Sequence, residues 1–331
     1  MALEYLLGVD LGTSGTKTVL FDTEGNTVAS ATIEYPMYQP QNGWAEQDPA
    51  DWWNAAKDTI RMVLDQSGID PALVRGLGIS GQMHGLVMLD ENGGVLRRSI
   101  IWCDQRTAAQ CDEITEKVGA QRLIEITANP ALTGFTASKI LWVRENEPEI
   151  YAKCRHILLP KDYVRYMLTG EYATEVSDAS GMQLLDVANR CWSKEVLEKL
   201  DIDESLLAKM YESPDVTGTV TKEAAALTGL VEGTPVAGGA GRRHRNRRGG
   251  ERQGVYHHRH KRRGVRPFRH RAHRPGGPGA HLLRGGARRV YEHELHAGGG
   301  PVAALVPRQL LQGGDGRGGR HRQGSVLPDG S

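Results

Sequence analysis

The chain has 331 residues with 41 Lys+Arg against 40 Asp+Glu, a balance that hides two opposite halves. Residues 242–331 hold 21 Lys+Arg against 5 Asp+Glu, with 10 of the 12 His, 19 of the 41 Gly and no Ile, Thr, Met, Trp or Cys, while residues 1–241 hold 20 against 35. No apolar run reaches the roughly 20 residues of a membrane helix, the opening MALEYLLGVD has no basic leader, and the scattered Cys103, Cys111, Cys154 and Cys191 make neither a CxxC pair nor a disulfide framework, which points to reduced thiols and a cytoplasmic location.

In chain order, the run Leu6–Val9 ends at Asp10 and is followed by the turn residues Gly12-Thr13-Ser14-Gly15. Thr16–Phe21 and Thr27–Glu34 read as two more strands, separated by the turn Asp22–Asn26. Two tight turns between apolar runs predict a β-meander rather than a strand–helix crossover. A helix is expected from about Ala50 to Gln66, with Asp48 as N-cap and Pro49 in its first position. Strands follow at Val74–Ser80 and Gly85–Leu89, the latter closed by the turn Asp90–Gly94. Helical periodicity then marks Thr107–Glu125, Ser138–Glu145, Asp162–Thr169 and Lys194–Leu200. The pattern is that of an α/β chain whose sheet has an antiparallel edge.

Chemistry concentrates first in Asp10-Leu11-Gly12-Thr13-Ser14-Gly15-Thr16-Lys17. Glycines let backbone N–H groups approach an anion, and Thr13, Ser14 and Lys17 supply donors for phosphate oxygens. Asp10, at a strand end, suits a Mg²⁺-bound water. The Walker pattern G-x-x-x-x-G-K-[ST] is not met, and taken alone the segment reads better as a plain hairpin turn.

The wider context changes that reading. DLGTSGTK followed by Asp22-x-x-Gly25 resembles the first phosphate loop of the actin–hexokinase ATPase superfamily. GWAEQDPADWW resembles the FGGY carbohydrate kinases, and SGQMHGLVMLD with SIIWCDQRT is similar to their xylulokinase branch. NPALTGFTASKILWVRENEPEIY and LLPKDYVRYMLTGEYATEVSDASGMQLLDV continue the likeness, which covers residues 4–241. The resemblance implies a ribonuclease-H-like α/β domain with a mixed sheet over residues 1–241. It also implies ATP- and Mg²⁺-dependent phosphorylation of D-xylulose to the 5-phosphate. Asp10 would serve catalysis and the metal through a bound water, and Thr13, Ser14 and Lys17 the nucleotide phosphates. Met83, His84 and Asp104 would contact the sugar, with Trp102 and Arg106 lining the same cleft. Trp44 and Trp52 read as core packing. The expected partners are a small sugar and, left open, a second copy of the chain in a homodimer, with no specific nucleic acid and no membrane. Another polyol or sugar substrate of the same family is the alternative.

The family's general base is an Asp after a Gly-Gly-x-Gly strand end. Here Gly238-Gly239-Ala240-Gly241 is followed by Arg242, and a guanidinium cannot accept a proton. The composition breaks at the same residue. Dropping one base from the codons of Arg242–Arg247 permits Asp-Ala-Thr-Ala-Ile-Gly. The same shift turns Val255–Gly264 into a sequence permitting FTTIGTSGVV, which resembles the family's second phosphate loop. Tyr291–His296 and Leu305–Leu310 permit MSMSCT and WFRDNF in the same frame. Residues 242–331 are thus read as an out-of-frame translation of the start of the second kinase domain, and their composition predicts disorder. A basic tail that binds nucleic acid is the rival, since its charge would give salt-dependent phosphate binding. Its aromatics are limited to Tyr256, Phe268 and Tyr291, which weakens base stacking. A metal cluster at His257-His258-Arg259-His260 ranks lower, because nearby arginines repel a cation.

Overall fold

A computed structural model of the protein describes residues 4–239. The boundary at 241, Arg242 and the segment 242–331 lie outside the described residues.

The meander forms as the turns dictate. β1 (Tyr5–Leu11), β2 (Gly15–Asp22) and β3 (Thr27–Glu34) pair antiparallel in succession. The second turn is closed by the Asp22 carboxylate, which accepts from the N–H groups of Glu24 and Asn26. β4 (Glu46–Gln47) precedes α1 (Pro49–Ser67). Asp48 caps that helix by accepting from the Ala50 N–H at 2.9 Å, and Gly68 ends it in the left-handed region at φ 62°. β5 (Val74–Gly81) then lies parallel to β1, so the crossover through α1 returns the chain to the sheet beside its first strand.

β6 (Val87–Leu89) and β7 (Ser99–Ile100) lead into helices. The single helix expected over Thr107–Glu125 is in fact two, α2 (Ala108–Val118) and α3 (Ala120–Thr127). Gly119 between them takes φ 91°, which no helix continues through. α4 (Thr136–Asn146), α5 (Pro148–Lys153), β8 (His156–Leu158), α6 (Pro160–Thr169), β9 (Ala173–Glu175) and α7 (Val176–Ala179) follow. The described chain continues through β10 (Leu185–Asp186), β11 (Cys191–Trp192), α8 (Lys194–Leu200), β12 (Lys209–Tyr211), β13 (Val216–Thr219), α9 (Lys222–Thr228) and β14 (Pro235–Ala237).

The main sheet has the order β13-β14-β5-β1-β2-β3. Its centre (β14, β5, β1) is parallel and both edges are antiparallel. This is the mixed sheet of a ribonuclease-H-like α/β domain, as expected, with the β13 edge not foreseen. One core lies between the sheet and helices α1 and α6, around Leu7, Val9, Leu11, Leu77, Ile79, Trp52, Ile60 and Val164. A second surrounds α2, α3, α4 and α8 through Ile114, Leu123, Ile140, Leu141 and Val196. The β6–β8 ribbon separates them. Val87, Leu89 and Leu158 face the first core, while Leu86, Met88, Ile157 and Leu159 face the second. A strand buried on both faces reads as a continuous apolar run, which is why residues 86–89 show no alternation. Each such fully buried side chain contributes about 1.5–3 kcal/mol.

Candidate active site

Asp10 is exposed at the end of β1, directly opposite Lys17 on β2 and Ser80 on β5. Directly opposed residues of paired strands share a face, so a carboxylate, an ammonium group and a hydroxyl are presented together. Tyr35 lies close by. Burial pushes its phenol up to about 12, and the Asp10 charge adds to the rise.

The connection between β1 and β2 is Thr13–Ser14, closed by Gly12 N–H donating to the Gly15 carbonyl at 3.0 Å. A Cβ on Gly12 would lie 2.9 Å from the Gly15 carbonyl oxygen, and one on Gly15 2.7 Å from that of Ile33. Both positions therefore exclude a side chain. The loop's carbonyls are held by the protein itself. Gly12 O accepts from the Tyr35 hydroxyl and the Gln82 amide, Thr13 O from Gln47 Nε2 at 2.7 Å, and Ser14 O from the Tyr35 N–H at 3.3 Å. With its acceptors engaged by the protein, the loop suits an anion, which needs N–H and O–H donors. The donor set of Thr13, Ser14 and Lys17, the glycine-restricted turn and the carboxylate of Asp10 fit the phosphates and hydrated cation of a nucleotide.

This loop is joined to the segment Gln82-Met83-His84-Gly85. The Gln82 N–H donates to Leu11 O at 2.7 Å, and its side-chain amide donates to Gln47 Oε1 at 2.8 Å. Trp102 reaches the hairpin from a different loop, its indole N–H donating to Thr13 Oγ1 at 3.0 Å while the residue stays 46% exposed. Met83 and His84 are half-buried. His84 takes φ 71°, its Nδ1 lies 2.9 Å from Gly181 O, and its ring meets the Phe135 ring edge-on at 4.8 Å.

Two of the expected residues have buried side chains. Asp104 has no exposed surface, and its carboxylate accepts from the Ala45 N–H at 2.6 Å and from the Arg106 backbone and guanidinium at 2.7–3.0 Å. Arg106 is buried too, paired with Glu46 at 2.8 Å and stacked over Trp44 at 3.7 Å. These two residues brace the loop that carries Trp102. Trp52 is fully buried and Trp44 packs edge-on against Trp142 at 5.3 Å, as core residues do.

A charged cluster that sequence reading missed supports the end of β14. Lys161 Nζ lies 2.8 Å from Glu175 and 2.9 Å from Asp178, and both Lys161 and Arg165 donate to Gly238 O. A Cβ on Gly239 would meet Glu175 and Lys161 side-chain atoms at 2.8–2.9 Å. Gly239 is thus imposed by the cluster beneath it, whereas a Cβ on Gly238 would first meet the Glu212 carbonyl oxygen at 3.0 Å. The only sign in the sequence was the charge of Pro160-Lys161-Asp162 in an apolar context, which resembles a helix start. Among the described residues no helix is long and apolar enough to cross a membrane, and the four cysteines are free thiols.

Comparison with known proteins decides the family. Residues 5–244 match the N-terminal domain of the FGGY family of carbohydrate kinases. The chain belongs to that family. It is 42% identical over 239 residues to the xylulose kinase of Bacillus subtilis, covering 72% of this chain and 48% of that protein. Against the xylulose kinase of Lactococcus lactis the identity is 43% over 239 residues, with the same coverage. Among solved structures, a Brucella ovis enzyme titled a xyloylose kinase superposes with TM-score 0.67 at 40% identity, over 71% of this chain and 48% of its own. A gluconate kinase from Lactobacillus acidophilus gives TM-score 0.68 at 28% identity, over 72% of this chain and 48% of its own. The chain spans about half the length of the curated relatives it matches.

Proposed function

We propose that the chain is the nucleotide-phosphate and sugar-binding half of an ATP-dependent kinase that phosphorylates D-xylulose to D-xylulose 5-phosphate. The observation that carries this reading is the junction of the two segments: a phosphate-type hairpin whose carbonyls are tied back, bonded through Gln82 to the segment of Met83 and His84 and touched on Thr13 by the exposed Trp102. The similarity to xylulose kinases at 42–43% identity favours the ketopentose.

Phosphoryl transfer passes through a loose transition state, so positioning and charge do most of the work. Lys17, Thr13 and Ser14 would meet the nucleotide phosphates, and Asp10 would hold a water on Mg²⁺. The metal, when bound, neutralises charge on the transferring group. Met83 and His84 would seat the sugar. The proton of the attacking hydroxyl needs a base. Position 242, where that base is expected, is Arg. The proposal therefore includes the reading that residues 242 onward are out of frame, and that the restored frame supplies an Asp there. It takes neither nucleic acid nor membrane as partner, and places the protein in the cytoplasm.

The test compares two proteins, each supplied with ATP and Mg²⁺. The present chain is expected to phosphorylate no sugar. A full-length product with the frame restored at codon 242 is expected to phosphorylate D-xylulose in preference to glycerol and gluconate. Preference for either of the others overturns the substrate. Turnover by the present chain overturns the role of position 242.

A further inference from the structure

We propose that the backbone carbonyl of Gly181 locks His84 in its Nδ1–H tautomer, so that the ring meets its ligand through Nε2 as an acceptor. This corner then selects a hydroxyl that can donate, and rejects a carbonyl oxygen. The second half rests on the reading that His84 contacts the sugar; the lock itself does not.

The distance of 2.9 Å between His84 Nδ1 and Gly181 O is a hydrogen bond whose direction has one solution. A carbonyl oxygen only accepts, so the proton is on Nδ1, and in the neutral ring the lone pair is on Nε2. The ring is fixed from several sides. Phe135 meets it edge-on at 4.8 Å with an interplanar angle of 77°. The Thr136 hydroxyl donates to the His84 carbonyl at 3.2 Å, holding a backbone in the left-handed region that non-glycine residues rarely adopt. Gly181 itself supplies the slot. A Cβ there would lie 2.1 Å from His84 Cε1 and 2.2 Å from Nδ1. Its own φ is not in the left-handed region. The ring, not the backbone, therefore demands glycine at 181. The turn that carries Gly181 is fastened in turn, because Asn129 Nδ2 donates to Ser180 O at 3.3 Å and the Gln183 amide donates to Pro130 O.

The consequence is chemical. A ketose offers both a carbonyl oxygen, which only accepts, and hydroxyls, which donate and accept. An Nε2 lone pair bonds only the latter. Asparagine at 84 would keep an N–H donor toward Gly181 and tolerate the positive φ, but would carry no acceptor in the Nε2 position.

Three measurements test this. In the ¹⁵N-labelled 331-residue chain, the His84 ring is assigned by its absence from the spectrum of His84→Asn. At a pH where ordinary histidines are neutral, long-range ¹H–¹⁵N correlations should place the proton on Nδ1. A proton on Nε2, or an average of the two forms, overturns the lock. Second, Gly181→Ala should lower the unfolding midpoint in the native chain and have little effect in a His84→Ala background. Equal effects in both backgrounds also overturn it. Third, in the frame-restored enzyme His84→Asn should keep its melting temperature and lose roughly 5- to 150-fold in kcat/KM for the sugar. If the Nδ1–H form is observed but this loss is not, the lock stands and the sugar contact falls.

Discussion

The phosphate hairpin and the parts around His84 are neighbours built in opposite ways. In the hairpin, Asp10, Ser14 and Lys17 are exposed, and shape comes from two glycines, backbone hydrogen bonds and uncharged side chains (Tyr35, Gln47 and Gln82) that reach it from outside. Around His84 the side chains themselves carry the structure. A left-handed histidine sits against Gly181 and Phe135. Phe135 follows a loop whose carbonyls at Thr133, Gly134 and Phe135 all accept from the buried ammonium of Lys139, at 2.6–3.2 Å. The end of β14 is treated similarly, with Lys161 and Arg165 beneath Gly238. The difference teaches where folding and chemistry can be separated. Substitution in the hairpin should change chemistry and spare the fold, while substitution among the buried supports should damage both.

The largest expected effect tests the buried side. Lys161→Met leaves Glu175 and Asp178 facing each other without their cation, and removing one partner of a buried pair costs about 3–5 kcal/mol. Burial alone would raise the Glu175 carboxyl, but Lys161 and its other hydrogen bonds hold it at about 2. Chemical unfolding of the variant chain should therefore show a loss of that size. A loss below about 1 kcal/mol would mean the cluster is a bystander.

Lys139 gives the next test, through pH. Burial pulls its ammonium down to about 7, against the opposing charge of Asp104. Below about 7 the folded and unfolded chains are both protonated there, and the full cost of burying the charge is present. Between about 7 and the unfolded value of 10.5 the unfolded chain keeps a proton that the folded chain releases, so stability rises with pH. Urea midpoints between pH about 7 and about 8, below the ordinary thiol value of about 8.5, should climb more steeply for the native chain than for Lys139→Met. Parallel slopes would show that the ammonium stays charged on its three carbonyls.

How much of this was legible in the sequence follows the same division. The hairpin, the capped helix at Asp48 and three of the four later helical stretches depend on short-range rules and stand where turn chemistry and periodicity put them, while the fourth, Thr107–Glu125, breaks in two at Gly119. What the sequence hid was long-range. Gly181 lies 97 positions from His84, Gln47 lies 35 from Gln82, and Lys161 lies 77 from Gly238. None has a periodicity that announces its partner. The surroundings of Asp104 were hidden for the same reason. A carboxylate beside a tryptophan and an arginine fits a ligand site as well as a brace, and only the Ala45 N–H and the Arg106 guanidinium decide for the brace. Gly119 was legible in principle, since glycine within a helical period marks a break.

Trp102 crosses the division and sharpens it. Its ring is largely exposed, yet its N–H holds Thr13 Oγ1. Trp102→Phe keeps the apolar ring and removes the bond, so the fold should lose about 0.5–1.5 kcal/mol at most. In the frame-restored enzyme the same change should lower kcat more than it raises the sugar KM, because it frees the phosphate loop. If the sugar KM alone moves, Trp102 is a sugar contact and does not steady the phosphate loop.

The smallest effect on folding is expected at Lys17, and it is the one that would break the comparison outright. Lys17 is exposed, with Asp10 on one neighbouring strand and Thr32 on the other. Exposed pairs contribute about 0–1 kcal/mol because water and salt screen them. Lys17→Met should thus leave the unfolding midpoint of the chain within about 0.5 kcal/mol of the native value. Methionine keeps an unbranched apolar stem in place of the lysine's, so lost packing cannot masquerade as lost charge. In the frame-restored enzyme the expectation reverses. A donor aimed at developing phosphate charge is typically worth about 10²–10³ in kcat, and the nucleotide dependence should weaken while the sugar KM stays put. Added salt should narrow the gap between the two enzymes, since screening removes part of what the ammonium supplies. A variant as unstable as Lys161→Met would show that the hairpin's shape depends on its charged side chains after all. A stable variant with full turnover would move the phosphate contact away from Lys17 and leave the hairpin to bind through Thr13, Ser14 and backbone N–H groups.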